Sequence, residues 1–116
     1  MTKSAIIYHN PRCSKSRKTL ELLQENQFEP QVVQYLKEPL SKAKINELLS
    51  MLNIEAHQLL RTKEDAYSEC GLSPATPATT ILEAMVEHPI LIQRPIVVID
   101  GKAAIGRPPE TIRDLF

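Results

Sequence analysis

PIVVIDGKAAIGRPP, residues 95–109, is the stretch from which the fold is best read. Pro95 leads into Ile96, Val97, Val98 and Ile99, an unbroken β-branched run of the kind that fills a buried strand. Asp100-Gly101 follows, a dipeptide suited to the two positive φ angles of a two-residue hairpin turn. Residues 102–105 then return as the partner strand. Pro108 opens a closing helix, with Ile112, Leu115 and Phe116 on its inner side.

The start of the chain supplies the other half of the pattern. Residues 4–8 (SAIIY) are short, apolar and partly β-branched, and Asn10-Pro11 ends them, so they read as a buried strand. Residues 14 to about 26 combine Leu20 and Leu23 with helix-favouring Lys, Arg, Glu and Gln, which predicts a helix beginning at or just after Cys13. Residues 31–35 (QVVQY) form a second strand candidate, bounded by Pro30 and by Lys37-Glu38-Pro39. The middle is helical. Ser41 is an N-cap for Ile45, Leu48, Leu49 and Leu52 at helical spacing. Residues 62–70 form a short helix closed by Gly71. Residues 80–88 form another, with Ile81, Ala84 and Met85 on one face, and Pro89 stops it. The order is β-α-β, a helical block, then β-β-α. It predicts an α/β, thioredoxin-like fold with a mixed sheet, one domain over residues 1–116 with a helical insertion at about residues 39–90.

A chain of 116 residues has room for one compact core. Its formal charge is balanced, so net charge points to neither a nucleic-acid nor a membrane partner. No apolar run suits a signal peptide or a membrane span, and a cytoplasmic monomer is expected. Cys13 and Cys70 are then free thiols rather than a bridge. No paired Cys/His spacing suggests a metal. His57 and His88 read as structural, and Cys70, with no cation cluster beside it, as an incidental thiol.

Charge is uneven along the chain, however. Residues 1–20 contain Lys3, Arg12, Lys15, Arg17 and Lys18 and no acid. Within them, Cys13 stands at the start of the predicted helix. The first-turn N–H groups, from Ser14, Lys15 and Ser16, have no intrahelical partner, and the helix dipole is positive there. Both favour thiolate, and helix N-termini with nearby cations lower a cysteine pKa from about 8.5 to about 3.5–7.5. The same groups form a ready anion site. His9, four residues upstream, is placed to stabilise a thiolate or relay a proton. The plain alternative is a buried structural cysteine, which the polar flanks argue against. Position 16 is Ser16, so Cys13 has no resolving partner at Cys-x-x-Cys spacing and an outside thiol must resolve it. Position 19 is Thr19, where a phosphatase-type loop would need arginine.

Tyr8-His9-Asn10-Pro11-x-Cys13-Ser14, Leu59-Leu60-Arg61, the run from His88-Pro89 to Arg94-Pro95-Ile96-Val97-Val98, and Gly106-Arg107-Pro108 together resemble the glutaredoxin-coupled arsenate reductase (ArsC-like) family, in its branch with a Pro-Arg-Cys-Ser-Lys-Ser-Arg loop. The resemblance implies a thioredoxin-like fold with a cis proline at Pro95. It implies a catalytic Cys13, a thiolate-stabilising His9, and oxyanion-binding Arg61, Arg94 and Arg107. It also implies arsenate as substrate, glutathione as co-substrate, glutaredoxin as partner and no bound cofactor. Arginine suits a tetrahedral oxyanion because its planar fork donates bidentately. Two other readings stay open: a glutathione-dependent thiol oxidoreductase with another substrate, and a redox-responsive regulatory protein on the same fold.

Overall fold

The computed structural model describes residues 3–116. Its contacts divide the chain into two compact units, one formed by the chain up to Glu38 with Arg94–Phe116, the other by Pro39–Gln93.

The first unit carries a four-stranded mixed sheet in the order β2-β1-β3-β4. β1 (Lys3–Tyr8) and β2 (Phe28–Val33) are parallel and joined by helix α1 (Ser14–Glu25). β1 pairs antiparallel with β3 (Ile96–Ile99), which turns at Asp100-Gly101 into β4 (Lys102–Ile105). Asp100 at φ 51° and Gly101 at φ 75° give the turn its positive backbone angles, and Ile99 opposes Lys102 directly. Ala5, Ile7, Phe28, Val97 and Ile99 on the sheet, Leu22 and Leu23 of α1, and Ile112 make one core cluster. Burying each large member contributes about 1.5–3 kcal/mol.

Two elements differ from the sequence reading. β2 begins at Phe28, so it includes Pro30 rather than following it. The sheet order explains this: β2 is an edge strand, where the missing proline N–H breaks no ladder bond. The closing helix is a 3₁₀ helix, Pro109–Leu115. Its Ile112 is fully buried, whereas Phe116 is 44% exposed and tilts against Phe28 at 5.1 Å between ring centroids.

The second unit holds α2 (Lys42–Leu52), a 3₁₀ turn at Ala56–Leu59, α3 (Asp65–Glu69), α4 (Ala78–Glu87) and a 3₁₀ turn at Pro89–Leu91. Ser41 caps α2 by accepting from the Lys44 N–H at 3.1 Å. Ile45, Leu48, Leu59, Ile81, Met85 and Leu91 are buried. The short helix expected over 62–70 shrinks to α3. It ends as the sequence implied: Gly71 donates to the Ser68 carbonyl and Leu72 to that of Tyr67, with Gly71 at φ 65°. Among the described residues, no helix is long and apolar enough to cross a membrane.

Candidate active site

Cys13 is the N-cap residue of α1, in extended backbone at φ −91° and ψ 122°. Asn10-Pro11 ends β1, and the loop between strand and helix is tied by its own atoms. The Asn10 carbonyl accepts from the Cys13 N–H at 3.0 Å, and the Asn10 side chain accepts from the Arg12 N–H at 3.0 Å. Arg17 Nη1 donates to the Pro11 carbonyl at 2.9 Å. Beneath the loop lies buried Ser16. Its hydroxyl accepts from the Asn10 N–H at 3.1 Å and shares a proton with His9 Nδ1 at 2.7 Å. These bonds fix where the sulfur points before any ligand arrives.

The sulfur stands among donors. Burial pushes the Cys13 thiol up. The Ser16 N–H, the Arg94 guanidinium, the Lys15 N–H and the Arg94 charge together outweigh burial and hold it below the usual thiol range. Arg107 Nη1 lies 4.0 Å from Cys13 Sγ and donates to the Arg94 carbonyl at 3.2 Å. Arg94 Nε and Nη1 are buried and meet no acceptor among the described residues. A desolvated guanidinium with unused donors is costly, and an oxyanion that accepts from them offsets the cost. The arrangement therefore combines a thiol whose ionised form is favoured, helix N–H groups and two arginines at one spot. It can bind a small tetrahedral anion and place it against a sulfur nucleophile.

The Arg94–Pro95 and Arg107–Pro108 peptide bonds are cis. The family resemblance implies the first; the second is marked by nothing in the sequence. Gly106, between β4 and Arg107, packs so closely that a Cβ there would meet Thr19 Oγ1 at 2.6 Å and Pro95 Cγ at 2.9 Å. Its N–H donates to the Pro95 carbonyl at 2.9 Å. Only glycine lets the strand end approach α1 this closely, which delivers Arg107 to the sulfur.

The other expected residues fall as follows. Burial, then the Arg17 charge, holds His9 below the ordinary histidine range, which favours the neutral ring. Its Nδ1 is spent on Ser16, so His9 orders the loop from behind. Ser16 offers Cys13 its N–H, because its hydroxyl is engaged below. Ser14 and Lys15 are exposed in the first turn, and Lys15 contributes its N–H. Arg61 belongs to the helical unit, where its N–H donates to the Leu91 carbonyl at 2.7 Å and its Nε to Glu64 Oε1 at 3.1 Å. His57 bonds Tyr67 Oη at 2.9 Å, a structural pairing. Cys13 and Cys70 are both free thiols. Sequence reasoning passed over Asn10, Thr19 and Gly106 as site-building residues. Only Asn10, in Asn10-Pro11, carried a turn signal.

The fold and the site define a thioredoxin-like protein with one cysteine, Cys13, set among arginines at a helix N-terminus. The ArsC family model matches residues 8–115, and the chain belongs to that family. It is 50% identical over 117 residues to the uncharacterized Escherichia coli K12 protein YfgD, covering 99% of this chain and 98% of that one. It is 44% identical over 108 residues to an arsenate reductase of Neisseria meningitidis serogroup A, covering 91% of this chain and 92% of that one. Among solved structures, an arsenate reductase from Vibrio cholerae superposes with a TM-score of 0.96 over 100% of both chains at 42% identity.

Proposed function

We propose that the protein is an arsenate reductase, converting arsenate to arsenite by way of Cys13. The observation that carries this reading is the Cys13 thiol at the helix N-terminus beside Arg94, whose buried Nε and Nη1 have no acceptor among the described residues. The names of the Neisseria and Vibrio relatives, each similar over nearly the whole chain, support arsenate as the anion.

Arsenate binds on Arg94, Arg107 and the first-turn N–H groups. The Cys13 thiolate attacks arsenic, an S–As bond forms, and one oxygen leaves as water after taking up protons. Arg94 and Arg107 hold the charge that gathers on the remaining oxygens. A thiol from outside then reduces the adduct, because Ser16 cannot. Over the cycle two thiols become one disulfide, their two electrons pass to arsenic, and arsenite and water are released. Glutathione and a glutaredoxin fill the thiol roles. Arg61 enters as the third oxyanion arginine on the resemblance of Leu59-Leu60-Arg61 alone, and an Arg61→Ala rise in the arsenate KM is its check.

The decisive assay is arsenate-dependent NADPH oxidation, coupled through glutathione reductase with glutathione and glutaredoxin present. Turnover is expected with the native chain and not with Cys13→Ser. Equal rates for the two would remove the proposal.

A further inference from the structure

We propose that Arg12, Lys15 and Lys18 form a docking patch for the carboxylates of a small anionic thiol, selecting by charge the thiol that resolves Cys13. This rests on the reading of Cys13 as a nucleophile resolved from outside.

The charge pattern of α1 runs against the helix. A helix N-terminus favours acidic side chains, yet the first turn of α1 contains none. Lys15 and Arg17 stand there instead, Lys18 follows one residue beyond, and Arg12 flanks Cys13 on the other side. Lys15 and Lys18 are three residues apart, so they are neighbours on one face and repel. A sequence that breaks a local rule in this way marks a functional position.

The four cations divide by task. Arg17 is used within the fold, since its Nη1 holds the Pro11 carbonyl. Arg12, Lys15 and Lys18 are exposed, and their side chains make no hydrogen bond or ion pair among the described residues. Glu21, the first acid along the helix, pairs with none of them. Arg94 and Arg107 face the sulfur itself and serve the oxyanion. The exposed three are thus a second set of charges, on the residue before the half-buried Cys13 and within the first five residues of the helix it caps. Like charges clustered beside a reactive group raise the local concentration of an opposite ligand and its on-rate by about 10–10³-fold at low salt. They do so less as salt rises. A thiol carrying carboxylates fits this patch, and its sulfur arrives at Cys13 when the carboxylates pair.

The test isolates the thiol step from arsenate. In a Cys70→Ser background, Cys13 is converted to its mixed disulfide with thionitrobenzoate. An added thiolate attacks the Cys13 sulfur, a new disulfide forms, and thionitrobenzoate leaves with the electron pair and is read by its colour. Rates per thiolate are compared for glutathione and for its diethyl ester, which lacks free carboxylates. Glutathione is expected to react about tenfold faster than the ester at low ionic strength, with the ratio falling toward one as salt is added. The ratio is also expected to fall toward one in Arg12→Gln/Lys18→Gln, and further with Lys15→Gln added. A ratio near one in the native chain, or a high ratio that neither salt nor these substitutions lowers, overturns the proposal. Either result leaves arsenate-dependent turnover untouched. Conversely, loss of that turnover with the charge ratio intact would remove the arsenate reading alone.

Discussion

Gly106→Ala should damage the site without touching a group that contacts substrate. The added methyl would fall 2.6 Å from Thr19 Oγ1, 2.9 Å from Pro95 Cγ and 3.1 Å from Thr19 Cγ2. The first distance is about 0.8 Å short of ordinary van der Waals contact. Thr19 cannot swing aside freely, because it is fully buried and its hydroxyl donates to the Lys15 carbonyl at 2.7 Å. The proline ring is rigid. Either the Thr19 bond breaks or the segment leading to Arg107 moves outward by roughly half an ångström or more. Overpacking of this kind costs about 1–3 kcal/mol. For a domain of this size that is a fall in Tm of about 4–15 °C. The Arg107 contact with Cys13 is already long at 4.0 Å, so the same shift weakens it further. Misplacing a group by about 1 Å can cost about 10²-fold in rate. A tenfold to hundredfold loss in kcat/KM for arsenate is therefore expected from Gly106→Ala, mostly in KM if Arg107 acts in binding. Thr19→Ala removes the two Thr19 contacts, so the double variant should recover part of both Tm and KM. A Gly106→Ala protein with native Tm and KM would refute the packing argument. Strictly additive losses in the double variant would refute the coupling through Thr19.

Arg94→Met should separate charge from packing. Arsenate or phosphate at 100 times Kd should stabilise the native chain by about 2.7 kcal/mol in thermal unfolding, and should do little for the variant. The unliganded variant should be as stable as the native chain or more so, because two buried guanidinium nitrogens without an acceptor are costly; a large loss of unliganded stability would count against the reading of Arg94. The pH dependence of Cys13 alkylation should have its midpoint below that of an ordinary thiol in the native chain and higher in Arg94→Met, since the lost cation favoured thiolate. Ser16→Ala should lower stability by about 1–3 kcal/mol in urea unfolding, because it strands the buried Asn10 N–H and His9 Nδ1. The sign for His9 follows from its lowered folded pKa. As pH falls below about 6.5 the unfolded chain takes up a proton that the folded chain refuses, so stability falls in that window until the folded pKa is reached. His9→Gln should flatten that acid limb of the stability curve, and an unchanged limb would show that His9 is not its source.

Much of the fold was legible because periodicity and turn chemistry are local. Ile96 to Ile99, Asp100-Gly101 and Ser41 each announced their element through the residues themselves, and the structure has a strand, a turn and a cap there. The start of β2 was misread because Pro30 is tolerated only at a sheet edge, and edge position is decided by which strands pair. The closing segment was expected as a helix and is 3₁₀, since its proline start and apolar spacing fit either form.

The site divides the same way. The sequence by itself determined that Cys13 begins a helix without a resolving cysteine at position 16, in a stretch with no acid. Those facts already make it a candidate for anion chemistry. Only the tertiary structure decided that Arg94 and Arg107 stand at its sulfur, that Ser16 offers its N–H while its hydroxyl locks His9, and that Gly106 must lack a side chain. Backbone preferences act over a few residues and are written in them. The approach of Arg107 to Cys13, 94 positions apart, depends on antiparallel pairing and on a close contact between a strand end and a helix, and neither is recorded in any one stretch of chain.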